Sequence, residues 1–166
     1  MTPKTMTEKD RFAATLEQEA KTTLKILKAY PADKLAVKPG AASKPAGEVA
    51  WMLVLNQMVV DPTLRGDLKP GGFPSAPGSM KEIIAAFEQN HRDAMARLAT
   101  APESDLDLTL KLPVGPRQTA DVRRGDALWM FLFDSIHHRG QLSVYFRVAG
   151  AKLPSIYGPT ADEPWW

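Results

Sequence analysis

Asp134 and His138 stand four residues apart in the stretch DSIHHRGQLSVYFRVAG, which runs from Asp134 to Gly150. A carboxylate and an imidazole at that spacing share one side of a helix and can reach a single divalent ion. On a helical wheel Leu128, Phe131, Asp134, Ser135, His138, Leu142 and Tyr145 fall on one face. That face carries the large apolar groups, so it is expected to look into the protein. His137 is rotated about 100° away and shares a side with Phe133 and Gln141. His91 lies on the apolar stripe of an earlier helix, and Asn56 lies inside the most apolar run of the chain. Three helices thus each offer a metal-ligating or hydrogen-bonding group, with Asp134, His138, His91 and Asn56 as the candidate set. The same residues also support a reading without metal. An Asp–His pair one turn apart can be a hydrogen bond that fixes helix geometry, and a lone histidine on an apolar face is commonly a satisfied core residue.

The elements that must position these groups follow from periodicity. Phe12, Leu16, Ala20, Leu24 and Leu27 recur at three- and four-residue intervals, which predicts a first helix over Thr7 to Tyr30, closed by Pro31. The segment PADKLAVKPGAASKPAG reads as a connection. A second helix is expected from Ser43, as N-cap, to Val60, apolar nearly all round and ended by Asp61-Pro62. The Pro/Gly-rich stretch PTLRGDLKPGGFPSAPG then reads as a long loop, of the kind that serves as a lid or binding segment about as often as it is a plain surface excursion. Ser79-Met80-Lys81-Glu82 fits a capping box and opens a third helix, whose face is Ile84, Phe87, His91, Ala94, Met95 and Leu98. Alternating Leu106, Leu108, Leu110 and Leu112 allow a short strand or hairpin after Thr100. The fourth helix starts between Val122 and Asp126 and runs to Ala149, with Gly150 as its left-handed terminator. Four such helices predict an all-α four-helix bundle in one domain, residues 1–166, with long Pro/Gly-rich connections.

The whole-chain composition narrows the function classes. A length of 166 residues suits one domain with its own core. The formal charge of +2, with basic and acidic residues interleaved, gives no electrostatic stripe for nucleic acid. There is no cysteine, which excludes disulfides, thiolate zinc sites and a cysteine nucleophile. The stretch MTPKTMTEKDRF lacks the apolar core of a signal peptide. The run VAWMLVLNQMVV falls short of the roughly 20 residues a membrane span needs. The expectation is a cytoplasmic protein with no membrane or nucleic-acid partner.

The segment HHRGQLSVYFRVAGAKLPSIYGPTADE, His137 to Glu163, resembles the C-terminal signature of the DinB/YfiT-like metalloenzymes. The likeness extends over most of the chain, through GEVAW in the second helix, a third helix carrying His91, and IHHRGQ in the last. The resemblance implies a four-helix bundle, frequently a homodimer. It also implies a divalent metal, nickel or zinc, held by three histidines in many members. Relatives include transferases and isomerases that use small thiols such as mycothiol or bacillithiol. In the family pattern one histidine comes from the second helix and two, one turn apart, from the last. The matching positions here are Met52, Asp134 and His138, so one of the three histidines is kept. Asp134 is a competent oxygen ligand. A methionine thioether suits copper(I) better than zinc or nickel, so Met52 is expected to pack, and Asn56, His91 or Glu48 would have to complete the site. By the same resemblance His137, Arg139, Gly140 and Gln141 line or orient the pocket rather than ligate. Arg139 could pair with a carboxylate across a dimer interface, Gly140 allows close helix approach, and Ile156 and Tyr157 anchor a tail folded back over the bundle. Two functions follow as expectations. One is a metal-dependent hydrolase or thiol transferase with a remodelled site in the bundle interior. The other is a non-catalytic bundle that binds a small molecule or a protein after losing the family metal site.

Overall fold

The computed structural model describes residues 5–69 and 71–166; Met1 to Lys4, part of the N-terminal stretch read above, and Pro70 lie outside the described residues. Helix α1 spans Glu8–Ala29. Thr7 opens it by accepting the Asp10 amide while the Asp10 carboxylate accepts the Thr7 amide, so two of the orphan donors at the helix start are satisfied reciprocally. The helix α4, Met80–Thr100, starts at the expected Ser79 cap, whose hydroxyl accepts the Glu82 amide at 3.2 Å. The Glu82 carboxylate accepts from that hydroxyl at 2.6 Å and not from the Ser79 amide, so half of the expected capping box forms. Helix α5 spans Arg124–Val148 and ends at Gly150, whose φ of 68° suits a residue without Cβ.

The expected second helix divides in two. Helix α2 is Ala46–Met58 and starts after Pro45, leaving Ser43 outside as a loop residue rather than an N-cap. A short helix α3, Val60–Arg65, follows with Pro62 in its first turn. The first-turn amides of a helix have no intrahelical partner, so the proline that should have ended one helix is accommodated near the start of the next. Gly66 closes α3 with φ of 77°, and the Arg124 guanidinium lies within 2.2 Å of where a Cβ would stand. A side chain there would be strained at that φ and would have to displace the guanidinium.

The fold is mostly helical but not purely so. Strands β1, Thr109–Gly115, and β2, Gln118–Arg123, form an antiparallel hairpin in which Leu110 pairs with Val122 and Leu112 with Ala120. Only Leu110 and Leu112 of the alternating leucines face inward along a strand, where they pack with Ala127 at the start of α5. Leu106 lies in a preceding 3-10 turn and Leu108 is exposed. No helix among the described residues is long and apolar enough to cross a membrane.

Helices α1 and α2 each pack against both α4 and α5, which places α1 and α2 on opposite corners of the bundle. One core cluster gathers Ile26, Leu27, Leu53, Phe87 and Phe146; another gathers Phe12, Leu16, Leu64, Leu98 and Leu128. Between them along α5 sits Arg139, 1% exposed. Its guanidinium donates to the Glu19 carboxylate at 2.6 Å, to the Glu19 carbonyl and to the Thr23 hydroxyl, each at 3.1 Å. The Tyr157 hydroxyl joins the same Arg139–Glu19 pair, and the guanidinium stands 5.0 Å from the Tyr157 ring centre. The partner anticipated across a dimer interface is therefore a carboxylate of the same chain. Tyr157 and Ile156 hold the tail against the bundle as expected, Ile156 packing on the first cluster.

A buried charge stripped of its partner costs about 3–5 kcal/mol. Arg139→Ala is expected to destabilise the fold by about that amount in urea denaturation. A loss below about 1 kcal/mol, the scale of an exposed ion pair, would show that the Arg139–Glu19 pair is not the buried contact described.

Candidate functional site

Asn56 on α2 and the Asp134–His138 pair on α5 come together because α2 and α5 are neighbours. The Asn56 amide donates to Asp134 Oδ2 at 2.9 Å, and His138 Nε2 lies 3.2 Å from the same oxygen. His138 Nδ1 meets Gln141 Oε1 at 2.9 Å, and the Gln141 amide reaches His137 Nε2 at 3.0 Å. The pair does not occupy the bundle interior as the wheel implied. The inward centre of α5 belongs to Leu128, Leu132, Ser135, Arg139 and Leu142. Asp134 and His138 sit on the flank facing α2, their side chains 42% and 15% exposed.

Hydrogen bonding within the pair moves both groups in the direction of charge. The His138 hydrogen bond holds the Asp134 carboxyl below its ordinary value of 3.8, assisted by Asn56 and opposed by burial. The Asp134 hydrogen bond raises the His138 imidazole above 6.5, against burial and the field of Lys44. Each shift favours the charged form of its group, so the contact becomes an ion pair wherever the imidazole is protonated.

His91 does not join this cluster. Its Nδ1 meets Gln57 Oε1 at 3.1 Å and its Nε2 meets Glu17 at 2.9 Å. Gln57 is the residue after Asn56, and one step along a helix turns a side chain by about 100°, so the two amides serve different faces of α2. His91 also lies parallel to the Phe87 ring, with centres 6.3 Å apart. Glu48 points away to solvent and pairs with Lys44 at 3.7 Å. Two residues that sequence reasoning left unassigned are thus Glu17 and Gln57, the partners that satisfy His91. The available signal was a polar Gln57 inside the apolar run, next to Asn56.

A cavity of about 360 Å³ opens beside Asp134. Its walls are mostly apolar: Met52, Leu55 and Val59 from α2, Met130 and Phe131 from α5, and Leu112 from the hairpin. The long Pro/Gly loop supplies Leu68, Lys69, Gly71 and Phe73, pinned to α2 by a bond from the Trp51 indole to the Pro74 carbonyl at 2.7 Å. Asn56 and Asp134 form the polar end. Both contacts on the carboxylate fall on Oδ2, which leaves Oδ1 able to accept from an entering molecule.

The donor chemistry does not fit a zinc or nickel centre. Such sites use three or more imidazole, carboxylate or thiolate donors. Among the described residues no group of three or more His, Asp or Glu side chains is placed to hold an ion. Met52 offers a thioether, and Asn56 presents its amide nitrogen rather than its oxygen to Asp134.

A family model described as the DinB superfamily matches residues 15–142. The protein YrdA of Bacillus subtilis is 27% identical over 157 residues, covering 93% of this chain and 90% of that one. Among solved structures, a DinB-like protein of Bacillus cereus superposes with a TM-score of 0.72 at 23% identity, covering 88% of this chain and 95% of its own. The DinB-like protein YjoA of Bacillus subtilis gives 0.66 at 18% identity, covering 88% and 97%. At those identities the two structures establish the shared fold.

The ion pair sets a pH signature. A lowered carboxyl contributes stability that is present above 3.8 and lost as pH falls through its folded value. A raised imidazole contributes stability that is present below 6.5 and lost as pH rises through its folded value. Both contributions hold together between those limits. The stability difference between the native chain and Asp134→Asn is therefore expected to be larger near pH 5.5 than near pH 9, as read by urea denaturation. Equal differences at both values would mean that His138 is not a cation in the pair.

Proposed function

The chain belongs to the DinB superfamily, and from that premise we propose that it is a small-molecule-binding bundle whose ligand is largely apolar and carries one hydrogen-bond-donating head, an amine or a hydroxyl. The observation that supports this reading is the half-open Asp134 carboxylate at the polar end of an apolar cavity of about 360 Å³. That size lies within the range of small-ligand sites, which characteristically combine apolar walls with a few placed polar groups. Asn56 and His138 hold the carboxylate in position through Oδ2, so the ligand head is received by a group that is already oriented. The apolar body rests against Met52, Leu55, Phe73 and Phe131.

A metal-dependent hydrolase or thiol transferase draws less support, because its third strong donor is missing where Met52 stands. The same deficiency is correctable. Met52 and Asp134 line one cavity, and Met52 precedes Asn56 by one helical turn.

Two measurements test the reading. Calorimetric titration with octylamine, octanol and octanoate is expected to show binding of the amine and the alcohol and rejection of the acid. Asp134→Asn should weaken the amine by about tenfold or more, the scale of one hydrogen bond to a charged group. Equal binding of acid and amine, or binding of none, would overturn it. Met52→His is expected to create a nickel- or zinc-retaining protein where the native chain retains neither after dialysis against metal, read by elemental analysis. Stoichiometric metal in the native chain would restore the metalloenzyme reading instead.

A further inference from the structure

The side of α2 that floors the cavity beside Asp134 continues past it towards the start of the helix. Glu48, Met52, Leu55 and Asn56 stand three or four residues apart in register and so share that side. Read along the helix, the order is polar, apolar, apolar, polar. A second cavity of about 450 Å³ lies over the earlier part. It shares Met52, Leu55 and Phe73 with the first, so the two meet at the same three apolar side chains. Phe73 is exposed and Met52 half-buried, and neither is locked in the core.

The far end of the second cavity is polar again, with Lys44, Glu48 and Ser75. Asn56, at the level of Asp134, comes eight residues after Glu48, which places the two polar ends about 12 Å apart along the helix. Lys44 is the group at that end with something to offer. Its ammonium stands 3.7 Å from the Glu48 carboxylate, beyond hydrogen-bond length. The two side chains are 62% and 52% exposed, and an exposed pair of that kind holds its partners weakly. On its other side Lys44 borders a groove with Ser43, His138 and Gln141, a wall that carries no carboxylate among the described residues. The root of the side chain is fixed, because the Tyr145 hydroxyl donates to the Lys44 carbonyl at 2.7 Å. An arriving carboxylate can therefore take the ammonium while Glu48 turns to water.

We infer that the two cavities form one site for an elongated molecule with a hydroxyl or amine at one end and a carboxylate at the other. The hydroxyl or amine is the head of the function proposed above, on which this inference rests, and the carboxylate meets Lys44. Carbon–carbon bonds of about 1.5 Å advance an extended chain by roughly 1.25 Å each, so the span calls for about ten bonds. The apolar chain lies along Met52 and Leu55 beneath Phe73. The unlike ends also fix direction, since a reversed molecule would set its carboxylate against that of Asp134. A plain fatty acid is refused in either direction. It presents Asp134 with a like charge, or with a methyl end that displaces water and returns no donor.

The test is isothermal titration of the full chain with ω-hydroxydecanoate, its methyl ester and ω-hydroxyhexanoate. The ten-carbon acid is expected to bind about tenfold more tightly than its ester, the scale of one hydrogen bond to a charged group. Lys44→Gln, at an exposed position outside the core, should remove that difference. The six-carbon acid spans about 7 Å, reaches one end only, and should bind at least about tenfold more weakly than the ten-carbon acid. Equal binding of acid and ester by the native chain overturns the inference. So does a difference that survives Lys44→Gln, or equal binding of the two chain lengths. The two readings fail separately. If octanol and octylamine bind while the ten-carbon acid gains nothing over its ester, the Lys44 end alone is lost; if none of these molecules binds, the cavity reading falls and this inference with it.

Discussion

A guanidinium enters the middle of a helical bundle only with its counter-charge, and Arg139 enters with Glu19. The pair does more than neutralise itself. Its bonds to the Glu19 carboxylate, the Glu19 carbonyl and the Thr23 hydroxyl come from one turn of α1, so they set the rotation of α5 about its own axis. With Arg139 directed at α1, Asp134 and His138 are turned to the flank that faces α2, and Phe133, His137 and Val144 are turned outward. A rotation of one residue's worth, about 100°, would take Asp134 away from Asn56. Tyr157 closes the arrangement from the C-terminal tail, which is why a segment without regular secondary structure bears on the geometry of a site it does not touch.

Relative to a three-histidine pattern, the residues at the matching positions change the electrostatic character of the α2–α5 junction. Two imidazoles one turn apart repel when both are protonated and otherwise share at most a neutral hydrogen bond. A carboxylate and an imidazole attract each other and stabilise the charged form of both, as the opposed displacements of Asp134 and His138 show. The junction is held by the Asp134–His138 contact and the Asn56 amide. Met52 fits the same logic: its thioether adds nothing to a charged cluster, but its flexible, polarizable side chain suits the wall of an apolar cavity.

Much of this was legible in the sequence because it is local. The Ser79 cap, the Gly150 terminator and the i, i+4 relation of Asp134 to His138 depend on residues within a turn of one another. The junction with Asn56 was legible as a possibility, since both helices carry a polar group in an apolar run. The wheel places Leu128, Ser135, Leu142 and Tyr145 inward, as they are, but its face is centred too far towards Asp134 and His138, which lie on its flank. A charged residue is ordinarily assigned to solvent, so Arg139 was not read as the inward centre, and the outward Met130, Phe133 and Val144 blurred the contrast between the two sides. His91 is the satisfied core histidine that the alternative reading of its apolar stripe describes, but its partners Glu17 and Gln57 come from two other helices, and no pattern within α4 specifies them. The division of the second helix at Val59 was hidden because a proline is equally good as a stop signal and as a first-turn residue.

The Asp134 carboxylate serves two demands that compete. Its contact with His138 already supplies a hydrogen-bond donor, and a cation where the imidazole is protonated, so a second positive charge entering the cavity gains less than it would beside an unpaired carboxylate. Selection at this position therefore rests more on a donor that can reach the free Oδ1 than on net charge, which is why a hydroxyl fits the same reading as an amine. The apolar walls act in the same direction. They lower the polarity around the polar end and so strengthen a hydrogen bond that forms there. A site built this way recognises shape and one donor position, and the ion pair beneath it keeps that position fixed.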